Sequence, residues 1–168
     1  MPQSDALTPP PARFGLIPLT ELTSLRGMDV LQGMLAGRYP MPPIQEASGF
    51  ALTQIEPGQA VFMGTPQQRF YNPISTVHAG WTSTVLDSAM ACAVWSTLEA
   101  GLGFTTMEFK ISLVRPITVE TGPIRAESNL LSRGKRAATA EARMTDGAGR
   151  LLAHATTTCI IFANGAGG

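Results

Sequence analysis

Residues 72–89 read NPISTVHAGWTSTVLDSA, a polar loop that runs directly into an apolar segment. The loop contains His78, one of two histidines in the chain, and the apolar segment contains a single acidic residue, Asp87. Moving an unpaired carboxylate into apolar surroundings is costly, so such a residue is usually paired or used. Asp87 is therefore the first candidate for a chemical role. The alternative is a structural aspartate that pairs with an arginine across an interface.

The apolar residues of segment 80–100 predict a long buried helix. They are Trp81, Val85, Leu86, Ala89, Met90, Ala93, Val94 and Leu98. These residues cover most of the helix circumference, which is typical of a helix enclosed by its own domain. At 1.5 Å per residue the helix is ~30 Å long, enough to cross a sheet. Gly101 and Gly103 are expected to end it.

The segments on either side predict strands. Segment 49–64 resembles a hairpin, because Pro57 and Gly58 suit the centre of a type II turn. After the helix, the apolar residues Met107, Phe109, Ile111 and Leu113 alternate with polar ones, as in a half-buried strand that ends at Arg115-Pro116. Further strands are expected near 122–132, 135–145 and 151–162. This order predicts an α+β fold in which an antiparallel sheet of about six strands surrounds one helix.

The N-terminal part predicts an accessory element. Residues 1–18 contain five prolines and are expected to be irregular. Residues 19–37 follow a helical period, and Gly37 with the prolines after it is expected to end that helix. The expected organisation is an extension over 1–45, a main domain over 46–163 and a tail over 164–168.

Composition narrows the functional classes. The chain has 168 residues, of which 44% are hydrophobic, and its net charge is zero. This size and charge favour one soluble domain with no nucleic-acid partner. The opening residues do not resemble a secretion signal and no segment is apolar enough to span a membrane, so a cytoplasmic protein is expected. Cys92 and Cys159 have no histidines at ligand spacing, and no metal site is predicted.

Basic residues are concentrated late in the chain. Residues 105–168 carry eight Lys/Arg and five Asp/Glu, whereas residues 1–104 carry four and seven. Either this part contains an anion site or its charges are solvated faces and turns. The candidates are Arg115, Arg125, Arg133, Lys135 and Arg136.

Taken together and in this order, these features resemble the hot-dog fold, a curved antiparallel sheet wrapped around a central helix. More narrowly, the chain is similar to the PaaI-like acyl-CoA thioesterases of the phenylacetate pathway over roughly residues 45–163. The residues that carry the resemblance are Asn72, His78-Ala79-Gly80, Leu86-Asp87-Ser88-Ala89, Thr105-Thr106, Arg115-Pro116 and Gly134-Lys135-Arg136.

The resemblance implies a role for each motif residue. Asp87 matches the family carboxylate, which acts as a nucleophile or as a general base for water. Ala79 stands where the family has a glycine whose backbone N–H holds the thioester carbonyl oxygen, so the N–H groups of Ala79 and Gly80 are the expected oxyanion donors. Alanine keeps that N–H, but it adds a methyl group and disfavours a positive φ. Asn72 and His78 match residues that orient water or the thioester; each is also a common turn or loop residue.

The substrate implied by the resemblance is an acyl-CoA, and no separate cofactor is expected. A basic turn formed by Arg133, Lys135 and Arg136 would meet the phosphates of coenzyme A through charge-assisted hydrogen bonds. Trp81, with Phe62 and Met63, is expected near the acyl group. The full set of expected substrate contacts is Trp81, Ser83, Thr105, Arg133, Gly134, Lys135 and Arg136.

Helix geometry adds a constraint on the assembly. Ala79 and Asp87 are eight residues apart, which is ~12 Å along a helix, whereas reacting atoms approach within about 3.5 Å. A homo-oligomer, either a dimer or a dimer of dimers, with active sites at the subunit interface is therefore expected. The alternatives are an acyl-CoA-binding protein without hydrolysis and a hot-dog hydratase for enoyl thioesters. A serine hydrolase is not expected, because the chain has no Gly-x-Ser-x-Gly turn.

Overall fold

The computed structural model describes residues 13–164, which form a six-stranded antiparallel sheet and four α-helices. The strands are β1 (Phe50–Glu56), β2 (Gln59–Gly64), β3 (Leu102–Leu113), β4 (Ile124–Arg133), β5 (Ala137–Asp146) and β6 (Leu151–Ala163). The helices are α1 (Leu19–Leu22), α2 (Gly27–Leu35), α3 (Pro43–Ser48) and α4 (Ala79–Trp95). The predicted α+β class, with one long helix against the sheet, is confirmed.

The sheet has the strand order β1-β2-β4-β5-β6-β3, so β1 and β3 are its edges. The predicted turn joins β1 to β2, with Gly58 at φ +77° as its third position requires. Ser96 fixes this turn to α4, since its hydroxyl accepts a hydrogen bond from the Gly58 N–H at 2.8 Å.

Helix α4 is the centre of the hydrophobic core. Its fully covered side chains include Val85, Leu86 and Met90, and they face the inner sides of all the strands. The helix ends at Trp95, five residues before the predicted end. The hydroxyls of Ser96 and Thr97 donate to the carbonyls of Ala93 and Val94, both at 2.8 Å, and so bond the last turn before the glycines are reached.

The N-terminal region contains two helices, α1 and α2, where one was predicted over 19–37. The break between α1 and α2 falls at Gly27, whose N–H donates to the Leu98 carbonyl at 3.0 Å. A side chain at Gly27 would overlap the Trp95 backbone, so glycine allows α2 to lie close against the end of α4. Helix α2 places Val30 and Leu31 in the same core as α4. The boundary at residue 45 stays a prediction.

Helix α3 was not predicted, because the prolines around it were interpreted as a helix end. Pro43 instead occupies its first turn, where a missing N–H costs nothing. The buried Gln45 of this helix accepts a hydrogen bond from the Leu52 N–H of β1 at 3.4 Å, next to a bulge in that strand. Helix α3 therefore covers part of the β1 edge.

The β3 edge is open by contrast. This strand begins at Leu102, earlier than predicted, and a bulge interrupts its pairing with β6 between Thr106 and Glu108. The predicted alternation holds from Glu108 to Leu113, and Met107 departs from it because it lies at the bulge, where it is 65% exposed. Phe109 and Leu113 lie opposite Thr157 and Ala153, on the helix side of the sheet, yet they are 38% and 54% exposed because nothing in the described chain covers them.

The remaining expectations concern the termini. Ala163 belongs to β6 and the Asn164 N–H donates to the Gly101 carbonyl at 2.7 Å, so the ordered chain extends slightly into the predicted tail. Residues 1–12 and 165–168, where the irregular start and the rest of the tail were expected, lie outside the described residues. Within 13–164, no helix combines the length and apolarity that a membrane crossing requires.

Candidate active site

The loop before α4 is organised by Asn72. Its side-chain oxygen accepts hydrogen bonds from the N–H groups of Ile74 (3.0 Å) and Thr76 (3.2 Å), and its amide donates to the Thr76 hydroxyl at 2.9 Å. Ser75, inside this turn, has φ +62°, a strained conformation for a residue other than glycine. Asn72 thus fixes the path of the chain into α4 with three of its hydrogen-bonding positions.

His78 is the N-cap of α4. Its Nδ1 accepts a hydrogen bond from the Gly80 N–H at 2.8 Å, so the proton of a neutral imidazole is on Nε2. Gly80 permits this close approach, because a side chain there would reach 3.0 Å from Nδ1. The Gly80 N–H, expected as an oxyanion donor, is therefore engaged within the chain.

Ala79 carries the open donor at this helix end. It is exposed, and its N–H makes no hydrogen bond within residues 13–164. Its conformation is helical, since Ser75 alone among the described non-glycine residues has a positive φ. The alanine is therefore not strained here, and its N–H lies at the positive end of the helix dipole, which favours a developing anion.

Asp87 lies two turns further along α4, half-buried against β3. The Thr106 hydroxyl donates to its Oδ1 at 3.0 Å. Burial raises the pKa of the Asp87 carboxyl above its usual value, and the bond from Thr106 partly offsets the rise. The described residues form three ion pairs, and none involves Asp87. No arginine within the described chain neutralises this carboxylate.

Two thiols border the carboxylate. Burial, with a smaller effect of the Asp87 charge, raises the pKa of the Cys92 thiol to about 12. Burial also raises the pKa of Cys159, the residue paired with Thr106 across β3 and β6. A raised pKa disfavours the thiolate, which is the nucleophilic form of cysteine, so Asp87 rather than either thiol is the candidate reactive group of this cluster.

Thr106 is the site residue that the sequence analysis did not select. Thr105 was chosen instead, but it is exposed and its neighbour contacts Asp87. Successive strand residues point to opposite faces, so only one of the two threonines can reach the helix. The sequence signal was the Thr-Thr pair, and the bulge after it removed the alternation that would have decided between them.

The side chains expected around the acyl group are dispersed. Trp81 is buried, donates from its indole N–H to the Ser48 carbonyl at 2.7 Å and stacks on Phe70. Phe62 is fully enclosed in the core, and Met63 next to it points to the opposite face of the sheet, so neither belongs to a pocket at the start of α4. Ser83 is half-buried one helical turn before Asp87.

A cavity of about 310 Å³ opens beside Ala79. Thr82 of α4 lines one side, and Leu113 and Arg115 at the end of β3 line another. Ala79, with its open N–H, therefore lies near the end of β3 at Leu113. Asp87 lies instead beside Thr106, nearer the start of the same strand.

The basic turn lies in the same row of the sheet as Thr106, the residue that donates to Asp87. Arg133 is the last residue of β4, and Gly134, Lys135 and Arg136 form the β4–β5 connection; all four residues are exposed. The register pairs Arg133 with Ala138, Ala138 with Cys159 and Cys159 with Thr106. Three strand spacings separate Arg133 from Thr106, about 14 Å.

The other two candidate cations have partners within the chain. Arg115 donates to the Leu151 carbonyl, and Arg125 pairs with Glu127 at 3.3 Å. Residues 13–164 contain no group of three or more His, Cys, Asp or Glu side chains arranged to hold a metal ion.

The thioesterase superfamily model matches residues 75–153. A phenylacetic acid degradation-related protein of Ralstonia eutropha JMP134 is 27% identical, with a TM-score of 0.71 over 77% of this chain and 98% of its own. The phenylacetic acid degradation protein PaaI of Thermus thermophilus, in a mutant form, is 25% identical, with a TM-score of 0.64 over 70% and 97%. A thioesterase family protein of Silicibacter pomeroyi has the same fold, with 23% identity and a TM-score of 0.70 over 82% and 99%. No curated protein matches the chain.

These matches confirm the resemblance drawn from the motifs. The chain therefore has the hot-dog fold, its residues 75–153 match the thioesterase superfamily, and the class of activity that these matches support is thioester hydrolysis.

Proposed function

We propose that the protein hydrolyses acyl-CoA thioesters to the free acid and coenzyme A in sites that two copies of the chain build together. The observation that carries this proposal is Asp87, a half-buried carboxylate held by one hydroxyl and paired with no cation of the described chain. Ionised carboxylates in such surroundings are strong bases for their type.

Asp87 acts on the thioester carbonyl carbon, either directly or by taking a proton from a water that attacks it. The oxyanion that forms accepts a hydrogen bond from the Ala79 N–H of the partner subunit, near the positive end of α4. If water attacks, collapse of the intermediate breaks the C–S bond, and the proton that Asp87 took from the water passes to the coenzyme A thiolate. If Asp87 attacks directly, the same collapse leaves an anhydride between Asp87 and the acyl group; water then hydrolyses this anhydride to the acid and free Asp87, and a proton released from that water goes to the thiolate. Overall, one water is consumed and one acid and one thiol are released.

Helix geometry supports a site shared between subunits. Ala79 and Asp87 belong to one unbroken helix and are eight residues apart, ~12 Å, so one copy does not present both groups to one carbonyl. The open edge of β3, with its uncovered apolar residues, is the surface through which we expect two copies to associate, as a dimer or a dimer of dimers.

The basic turn of Arg133, Lys135 and Arg136 is our proposed contact for the coenzyme A phosphates. Its distance from Thr106, about 14 Å along the sheet, suits a substrate whose charged nucleotide is far from its thioester. For the acyl group we propose an aryl or medium-chain acid, in line with the phenylacetic acid degradation named for two similar proteins. A cytoplasmic location is proposed with it, since coenzyme A esters are intracellular substrates.

The alanine at position 79, where the family has a glycine, is the feature that favours the alternative of a binding protein without hydrolysis. That argument is weaker because the helical conformation of Ala79 requires no glycine and its N–H is open. No observation favours the hydratase.

The test is thiol release from a panel of aliphatic and aryl acyl-CoAs by three forms of the protein. Asp87→Asn is expected to remove most activity. Ala79→Pro deletes one N–H at the first helical position, where proline is tolerated, and is expected to cost about 10²–10³ in rate. Ala79→Gly keeps the N–H and serves as the control. Near wild-type turnover by Asp87→Asn would overturn the catalytic assignment.

Mixing the two inactive variants tests the shared site. A dimer with one Asp87→Asn and one Ala79→Pro subunit contains one intact pair of groups if the pair is formed between subunits. Random mixing at equal amounts should then restore about a quarter of wild-type activity. If both groups came from one chain, mixing would restore nothing.

A further inference from the structure

The C-terminal end of α4 borders an apolar cavity of about 460 Å³, larger than the cavity beside Ala79. Helix α1 and the paired ends of β3 and β6 form its other walls, and the apolar side chains that line it include Leu22, Trp95, Phe104 and Phe162. Pockets that bind small molecules measure about 300–1,000 Å³. This end cavity is therefore large enough to hold part of a substrate.

Aromatic rings from three elements line the end cavity: Trp95 of α4, Phe104 of β3 and Phe162 of β6. The centroids of the Trp95 and Phe104 rings are 6.2 Å apart and the rings are tilted by 41°. Gly103 lets the Phe162 ring lie close over β3, because a side chain at Gly103 would come within 2.6 Å of that ring. Aromatic rings attract one another in offset and edge-on arrangements, so these walls favour a ligand that carries a ring.

The end cavity suits an uncharged group. None of the described residues that line it is charged, and its polar side chains are Thr23 and Asn164. The Thr23 hydroxyl already donates to the Thr20 carbonyl of α1 at 3.3 Å. Burying an unpaired charge is costly, so neither a phosphate of coenzyme A nor a free carboxylate fits there, whereas the hydrocarbon part of an acyl group does.

Helix α1, from the N-terminal extension, closes one side of the end cavity. Leu22 lines the cavity and packs against the hydrophobic core, while Leu19 at the rim is 71% exposed. The Gly101 N–H donates to the Thr23 carbonyl at 3.0 Å and so holds the end of α1 against the start of β3. The size of the side chain at position 22 therefore limits the depth of the cavity.

Strand β3 connects the end cavity with the candidate catalytic carboxylate. Phe104 and Thr106 pair with the buried residues Ile161 and Cys159, so both point to the helix side of the sheet. They are two residues apart, ~7 Å along the strand. Thr106 is the residue that donates to Asp87, so the aromatic wall begins ~7 Å from the contact that holds the carboxylate.

Helix α4 makes the same connection. Asp87 and Trp95 are eight residues apart, ~12 Å, and both are half-buried. Ala91 lies between them at four-residue spacing, is also half-buried and has only a methyl side chain. An acyl group whose carbonyl is beside Asp87 can therefore extend along this face of the helix towards the end cavity.

We infer that helix α1, through Leu22, sets the length of the acyl group that the protein accepts, by closing a cavity that holds the end of that group farthest from the thioester. The occupant is a ring carried on a short alkyl chain. An acetyl group does not span the ~7 Å between Thr106 and Phe104. A cavity of about 150 Å³ accommodates benzene, so the end cavity has room for a ring together with its chain. The inference rests on the proposed function, because Asp87 defines where the carbonyl is held.

Thioethers of coenzyme A test the inference without turnover, because they carry the chain and the ring but no carbonyl to hydrolyse. By isothermal titration calorimetry, the wild type should bind the phenylbutyl thioether about tenfold or more tightly than the ethyl thioether, since the ring becomes buried. Leu22→Trp fills the cavity and should remove this difference. Leu16→Trp places the same ring in the same extension at a residue that is 82% exposed and does not line the cavity, so it should bind like the wild type.

Two further variants keep the test decisive. Leu22→Ala deepens the cavity and should bind the phenylhexyl thioether more tightly than the wild type does. Phe104→Leu keeps an apolar wall but loses a ring, so it should reduce the preference for the phenylbutyl over the hexyl thioether about two- to tenfold. Circular dichroism checks that each variant is folded.

The inference is overturned if the wild type binds the ethyl and phenylbutyl thioethers equally, if Leu16→Trp weakens binding as much as Leu22→Trp, or if Leu22→Ala gains nothing with the longer chain. Failure of the proposed activity looks different. The thioether affinities would then follow the cavity as described while no acyl-CoA releases its thiol.

Discussion

Thr106→Val is the substitution that examines the environment of Asp87 most directly. Valine has nearly the shape of threonine but cannot donate to Asp87 Oδ1, so a 3.0 Å hydrogen bond to the carboxylate is lost. Hydrogen bonds to charged groups contribute about 1.5–3 kcal/mol. At 1.4 kcal/mol per factor of ten, kcat/KM should fall by roughly 10- to 100-fold on the acidic limb of its pH profile, where Asp87 must first lose its proton.

The pH dependence of that loss follows from the sign of the interaction. Thr106 stabilises the ionised form of Asp87 and therefore lowers its pKa against the effect of burial. Without it the pKa rises further, less of the carboxylate is ionised at a given pH, and the acidic limb of the kcat/KM profile moves to higher pH. The loss should be largest in acid and partly recovered in alkali.

The chain offers a matched control for this experiment. Thr105→Val removes the adjacent hydroxyl, which is exposed and has no bond to Asp87, and should leave the limb in place. Thr106→Ser keeps the hydroxyl and should stay near wild type. Thiol release between about pH 4 and 9, the range around carboxylate and thiol titration, gives the profiles. An unmoved limb in Thr106→Val, or an equal shift in Thr105→Val, would refute the assigned contact.

Three further outcomes are expected from thermal unfolding. Asp87→Asn should raise Tm at pH 7, because a carboxyl whose pKa is raised in the folded state destabilises the fold when it is ionised. This gain should vanish below the unfolded pKa of about 3.8, because the carboxyl is then neutral in both the folded and the unfolded state. A gain that persists unchanged in acid would contradict the burial argument. His78→Ala should lower the free energy of unfolding by about 1 kcal/mol, because the Gly80 N–H loses its cap. His78→Asn should restore most of that stability, because asparagine is also a capping residue. Equal losses in both variants would show that the cap does not account for them. Gly27→Ala should be far more destabilising, by several kcal/mol, because the added methyl group would overlap the Trp95 backbone. A Tm near wild type for this variant would mean that α2 and α4 are not packed this closely.

The central helix and its acid could be predicted because local sequence specifies them. An apolar circumference predicts a buried helix wherever it occurs, and one carboxylate within it is conspicuous without any knowledge of the sheet. The Pro57-Gly58 turn was equally local. The end of α4 is also local, because the Ser96 and Thr97 hydroxyls bind the carbonyls three residues before them, but it was missed because the glycines that follow are the stronger signal for a helix end.

Two other misses have physical reasons of the same kind. Thr105 was chosen over Thr106, although the bulge in β3 gives the two threonines the opposite faces from those that the later alternation would assign to them. No residue type in the sequence marks the position of that bulge. Helix α3 was overlooked because proline both ends helices and begins them. The role of Gln45 could not be predicted, because its amide oxygen accepts a hydrogen bond from the Leu52 N–H of β1, and that contact depends on how α3 packs on the sheet.

The bond from Leu52 to Gln45 has a consequence for the size of any assembly this sheet can form. A sheet with two open edges can add copies indefinitely and grow into a filament. Here one end is obstructed by the chain's own helix, and a two-fold pairing at β3 uses the open edge of both copies at once. The joined sheet would have twelve strands and an obstructed strand at each end, so growth of the sheet by strand pairing would stop at two copies. In that arrangement Gln45 would help to prevent a further copy from adding to β1, because its side chain already accepts the hydrogen bond of the Leu52 N–H.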